Sequence, residues 1–132
     1  NIKLNSVFLE NKPLWVMADK FRIRQVLTNL IVNSIKYGKD GGETIAKTSD
    51  IGDTILVEIA DNGIGIPKHD SERVFERFYR VDKGRSRSEG GTGLGLAIVK
   101  HIIEAHAQSI QVISTEGAGS VFSFTLKKAK SV

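Results

Sequence analysis

The sequence predicts an α/β (α+β) two-layer sandwich, in which a mixed, mostly antiparallel sheet carries about three helices packed on one face. Two observations lead there. The strand-like segments come in pairs around tight turns, not singly between helices, which excludes a doubly wound parallel fold. Three further segments carry apolar residues at spacings of three and four, the mark of helices with one buried stripe.

In chain order, "KLNSVFLE" and "PLWVMAD" alternate as short strands. Asp19 is a good N-cap for a helix over Lys20–Tyr37, striped by Ile23, Val26, Leu27, Leu30, Ile31 and Ile35 and stopped at Gly38. "ETIAKTS" and "TILVEIAD" form a hairpin around "DIGD". "DNGIGIP" ends the second of these strands, because Pro67 cannot continue a central ladder. Ser71–Tyr79 reads as a shorter helix with Val74, Phe75 and Phe78 on one side. Arg80–Gly91 has no periodicity, only glycine, serine and charge, and reads as a mobile loop. Gly93–Ala107 is the third helix, striped by Leu96, Ile98, Val99, Ile102 and Ile103. "SIQVIST" and "SVFSFTLK" close the chain as a hairpin around "EGAG".

The 132 residues fit one domain, 1–132, with 40% hydrophobic and 26% charged residues, an ordinary balance for a folded protein. The absence of cysteine excludes disulfides and thiolate metal sites. No apolar run approaches the roughly 20 residues that span a bilayer. The chain begins at Asn1 and reads as a piece of a longer protein. Its net charge of +4 comes from 19 Lys+Arg against 15 Asp+Glu, and much of the excess is local. Arg77, Arg80, Lys83, Arg85 and Arg87 cluster before a glycine loop, which suits a small polyanion better than a nucleic acid. Lys127, Lys128 and Lys130 read as a frayed, solvated tail.

Three stretches carry the chemistry. In "EGGTGLGLAIVK" four glycines crowd a helix entrance, although it fits neither the P-loop pattern nor the dinucleotide fingerprint. Bare backbone N–H groups and the positive end of a helix favour an anion there, although the loop alone is equally consistent with a hinge. "DNGIGIP" sets the carboxylate of Asp61 at a strand end before Gly63 and Gly65. That pattern is a common turn, and it is also a site where an adenine amine could donate to a desolvated carboxylate. In "NLIVNSIKYG", Asn29, Asn33 and Lys36 share one helix face. Amide oxygens suit a hard cation such as Mg2+, and the lysine suits a phosphate.

Taken together, these stretches resemble the ATP-binding catalytic domain of bacterial sensor histidine kinases. "QVLTNLIVNSIKYG" is similar to that family's N box, "DNGIGIP" to its G1 box, "VFERFYR" to its F box, "GTGLGLAIVK" to its G2 box and "EGAGSVFSF" to its last glycine box. The resemblance runs from Asp19 to Leu126. It implies the sandwich fold shared with gyrase and the heat-shock chaperones, and a flexible ATP lid over Arg80–Gly91. It further implies Asn33 as the Mg2+ ligand, Asn29 near the phosphates, Lys36 contacting them and Tyr37 lying along the nucleotide. Asp61 would accept the adenine amine, with Gly63, Gly65 and Ile66 lining the base pocket. Arg80, Lys83, Arg85 and Arg87 would reach the phosphates, while Gly93 and Gly95 cradle them beside Thr92, Leu94 and Leu96. The catalytic set implied is Asn29, Lys36 and Arg80.

Two positions depart from the family. Ser34 follows Asn33 where alanine is usual, and Ala107-Gln108 follow His106 where two glycines are common. The second departure removes the easy left-handed helix cap. Hydrolytic relatives place a glutamate one turn before the metal-binding asparagine. Asn29 stands there and cannot act as a base, so the resemblance implies transfer to an acceptor in preference to hydrolysis. His69, His101 and His106 read as surface or helix-end residues, since none sits in the family's acceptor motif. The acceptor histidine is then expected on a missing dimerisation domain, with a response regulator as the next partner. The isolated domain is expected to be monomeric and cytoplasmic, and its parent homodimeric and membrane-anchored. A nucleotide-binding module without catalysis, or a serine kinase or ATPase of the same superfamily, is the alternative.

Overall fold

A computed structural model describes residues 2–8, 15–77, 79 and 95–129. The elements are β1 (Lys3–Phe8), β2 (Val16–Met17), α1 (Lys20–Lys36), β3 (Glu43–Asp50), β4 (Thr54–Asp61), α2 (Lys68–Ser71), α3 (Gly95–Ala105), β5 (Ile110–Thr115) and β6 (Gly119–Lys128). One six-stranded sheet runs in the order β1-β3-β4-β6-β2. β1 lies parallel to β3, and every other pairing is antiparallel. β4 holds one edge of β6, while β5 and β2 share the other in succession. The predicted two-layer α/β sandwich with a mixed, mostly antiparallel sheet is the fold observed.

Alternation builds the core. Ile55, Val57 and Ile59 on β4 and Phe122, Phe124 and Leu126 on β6 point to the helix layer and are buried. Val26 and Leu30 of α1 and Val99, Ile102 and Ile103 of α3 meet them. Phe75 stands edge-on to Phe122, with ring centroids 6.0 Å apart. Asp19 caps α1 as predicted, its Oδ1 accepting the N–H groups of Phe21 (3.0 Å) and Arg22 (3.2 Å). Ser34, where the family has alanine, is buried without cost in unmet polarity. Its hydroxyl donates to the Ile31 carbonyl at 2.8 Å and meets the Thr44 hydroxyl at 3.0 Å.

Three expectations need correction. The helix expected over Ser71–Tyr79 is instead one turn at Lys68–Ser71 followed by a run of three-residue turns. Their bonds run from the N–H of Asp70, Arg73, Glu76 and Tyr79 to the carbonyls of Pro67, Asp70, Arg73 and Glu76, respectively. Tertiary anchors override helix periodicity here: Val74 is buried, Phe75 is committed to Phe122, and the buried Asp70 carboxylate accepts the Tyr79 hydroxyl. Secondly, Lys127 and Lys128 are not frayed; they pair with Met17 and Val16 in the sheet, and Lys128 Nζ lies 2.5 Å from Asp50 Oδ2. Thirdly, the missing glycine after His106 does not abolish the left-handed cap. Ala107 takes φ 59° itself. The Ala107 N–H reaches Glu104 O and the Gln108 N–H reaches Ile103 O, closing a Schellman turn around a residue with a Cβ. The lid, with Arg80, Lys83, Arg85, Arg87, Thr92, Gly93 and Leu94, lies outside the described residues, as do Phe78 and Lys130.

A left-handed alanine is strained by roughly 1–2 kcal/mol, partly offset by the greater backbone entropy glycine gives the unfolded chain. Ala107→Gly is therefore expected to stabilise the domain by about 0.5–1 kcal/mol, read as a higher urea midpoint at unchanged slope.

Candidate functional site

β4 ends at Asp61, half-buried between its sheet partners Thr44 and Ser120. Asp61 Oδ1 accepts the Gly63 N–H at 2.9 Å. Burial pushes its carboxyl above the ordinary range, while the backbone N–H groups of Gly63 and Ser120 pull the other way. A carboxylate offers about four acceptor positions, so two such bonds leave it capacity for an outside donor. Asn62 turns away, its Oδ1 taking the Glu43 N–H at 2.7 Å while its own N–H donates to Glu43 O.

The loop after Asp61 is seated on two other elements. A Cβ on Gly63 would lie 2.3 Å from Tyr37 O and 2.8 Å from Gly38 Cα, so only glycine lets the loop touch the end of α1. The Ile64 N–H then donates to Tyr37 O at 3.2 Å. Gly65, at φ 72°, backs onto Thr115 O, 2.1 Å from where its Cβ would be. The Gly117 N–H reaches Ile64 O at 2.7 Å, and the Ile66 N–H reaches Ser114 Oγ at 2.7 Å. Ser114 also bonds Gly119 O and the Ser120 hydroxyl, which joins the loop to the β5–β6 hairpin. Both glycines are thus demanded by the protein's own backbone, beyond any ligand they face.

α1 contributes Asn29, Asn33 and Lys36 along one half-buried face. Asn29 Nδ2 approaches Gly95 O, at the start of α3, at 3.4 Å. Lys36 Nζ stands 5.4 Å from the Tyr37 ring centroid. The Asn33 side chain makes no bond among the described residues, and no trio of His, Asp or Glu there could hold a metal ion. A lone amide oxygen fits Mg2+, which keeps few protein ligands and takes the rest from substrate phosphates and water. Ile66 and Leu96 pack against the core. The structure therefore gathers Asn29 with Gly95, and Tyr37 with Asp61 and Gly63.

The histidines lie elsewhere. His69 and His101 are exposed, with His69 Nε2 3.3 Å from Asp70 Oδ2, and His106 is bonded at the far end of α3. Sequence reasoning missed Ser114; its only signal was a hydroxyl at an inward position of an alternating strand.

Two outcomes follow for this loop. Gly63→Ala drives a Cβ into main-chain atoms that cannot step aside and is expected to destabilise the domain by about 2–3 kcal/mol in urea unfolding. The raised carboxyl of Asp61 means that its stability contribution is present when protonated and lost as pH rises through its folded-state value. Asp61→Asn, which cannot ionise, is expected to unfold at a higher temperature than wild type at pH 7, the gap closing towards pH 4.

Comparison with known proteins accords with this geometry. Residues 18–130 match the family model described as Histidine kinase-, DNA gyrase B-, and HSP90-like ATPase. Sensor histidine kinase WalK of Bacillus subtilis (strain 168) is 46% identical over 125 residues, covering 90% of this chain. The chain spans only 20% of that relative's length. Among solved structures, a mycobacterial sensor histidine kinase, MprB, superposes with a TM-score of 0.84 at 27% identity, over 98% of this chain and 86% of that one. Full-length ShkA in complex with AMPPNP gives 0.85 at 29% identity, over 99% of this chain and 26% of ShkA. The chain belongs to the histidine kinase-, DNA gyrase B- and HSP90-like ATPase family, and its fold is similar to that of histidine kinase catalytic domains.

Proposed function

We propose that this domain binds ATP with Mg2+ and passes the γ-phosphoryl group to a histidine on a separate domain of its parent protein. The observation that carries the reading is Asp61: a desolvated carboxylate at a strand end, steadied by Gly63 N–H and beside the Tyr37 turn of α1. Such a group favours a nitrogen donor, and the adenine amine is one. The AMPPNP bound by ShkA supports the ligand class.

In this reading Asp61 selects the base and Tyr37 lies along the nucleotide. Asn33 holds Mg2+, which neutralises phosphate charge when bound. Lys36 adds a point charge, and the first-turn N–H groups of α3 at Gly95 and Leu96 face the phosphates. Arg80, Lys83, Arg85, Arg87, Thr92, Gly93 and Leu94 join the set through their sequence positions alone. The acceptor imidazole nitrogen forms the new N–P bond as the bridging O–P bond to ADP breaks. Asn29 offers no base to activate water, so transfer outruns hydrolysis. The parent is proposed to be a membrane-anchored homodimer serving a response regulator. No described helix is long and apolar enough to cross a membrane.

Titration calorimetry with Mg-ATP is expected to show saturable binding, weakened about 10- to 100-fold by Asp61→Asn through loss of a charged hydrogen bond. Mixing the domain with labelled ATP and a separate acceptor-histidine domain is expected to label the acceptor. Free phosphate released at the same rate without the acceptor would overturn the kinase reading.

A further inference from the structure

We infer that His106 is a positioning residue: it locks α3 in axial register with α1 and so sets the start of α3 against Asn29. The inference rests on the nucleotide reading of that site.

The two helices run antiparallel and meet through directional bonds at both ends. At one end the Asp19 N–H donates to His106 Nε2 at 3.0 Å; at the other, Asn29 Nδ2 approaches Gly95 O at 3.4 Å. Ten residues of α1 and eleven of α3 separate these contacts, about 15 and 16 Å at helical rise, so the two spans match. Between them the interface is apolar, with Val26 and Leu30 against Val99, Ile102 and Ile103. Apolar burial is itself non-directional. A groove of about 820 Å³ also opens along the seam, lined by Arg22 and Gln25 on α1 and by Ala97 and Ala105 on α3. The polar ends therefore add directional restraints on axial register to that packing.

His106 is built for its end. Its Nδ1 lies 2.8 Å from Ile102 O, which can only accept, and its Nε2 faces a backbone N–H, which can only donate. Together these partners put the proton on Nδ1 and leave an Nε2 lone pair for α1. The Schellman turn through Ala107 fixes the backbone that carries the ring. Asp19 serves both helices: its carboxylate starts α1 and its N–H receives the end of α3. His106 is about 16 Å along α3 from Gly95, too far to touch a nucleotide. A one-residue slip would move the first-turn N–H groups by about 1.5 Å, beyond hydrogen-bond tolerance for phosphate oxygens.

The test measures Mg-ATP and adenosine affinity of the 132-residue chain for wild type, His106→Ala, His106→Asn and His106→Gln. Only glutamine can return an acceptor near the Nε2 position. Expected are a five- to twentyfold loss of Mg-ATP affinity in the Ala and Asn variants, adenosine affinity within twofold of wild type throughout, and recovery in Gln. Equal Mg-ATP binding by all four, or equal loss of both ligands in Ala, overturns the positioning role. Wild type that binds neither ligand defeats the nucleotide reading itself. Independently of any ligand, two-bond proton–nitrogen NMR is expected to show His106 protonated on Nδ1 when neutral; an Nε2–H tautomer overturns the inference.

Discussion

Everything at the site depends on the loop after β4 lying directly on the last turn of α1. The Tyr37 carbonyl has lost its helical partner, since the helix ends there, and the Ile64 N–H satisfies it. That bond forms only because residue 63 has no side chain. One contact therefore completes a helix end, aims a carboxylate and joins the two stretches proposed to carry most of the recognition chemistry. Ser114 repeats the tactic on the other side, closing the loop onto the β5–β6 hairpin. The loop is held from both flanks by the protein's own main-chain and hydroxyl groups, so its shape is set before any ligand arrives.

Asp61 shows the tension this creates. A carboxylate half removed from water costs the fold stability, and its two N–H donors only partly compensate. In the proposed reading the same deficit would make it a strong acceptor for an incoming amine. Asn33 is likewise an amide left without a protein partner among the described residues. Groups left short of partners inside an otherwise satisfied frame are characteristic of sites, and here they fall on one side of α1 and one strand end.

Much of this was legible in the sequence, for identifiable reasons. Helix α1 was readable because its cap, its stripe and its stop agree. The β3–β4 and β5–β6 hairpins were readable because their turns and alternation agree. The segment 68–79 was not, because its three-residue turns answer to contacts with Phe122 and to the Asp70–Tyr79 bond, neither of which leaves a local periodic trace. Asp61 and the α1 asparagines stood out as polar residues at apolar boundaries. The work of Ser114 and His106 did not, since each acts through a backbone group distant in sequence: Ser114 on Ile66, His106 on Asp19. Glycine identity was visible, yet its immediate cause, backbone lying on backbone, required the fold.

The place of β6 has a consequence for how the domain is made. It follows every one of its partners in sequence, yet it lies inside the sheet, bonded to β4 on one edge and to β5 and β2 on the other. During synthesis the earlier strands must wait beside an open β4 edge until this one emerges. Closure of the sheet is then a late, long-range event, slow by the measure of contact order. Until it happens, an unpaired edge rich in Ile and Val is open to neighbouring chains. Holding that edge apart from other nascent chains is a natural task for a chaperone.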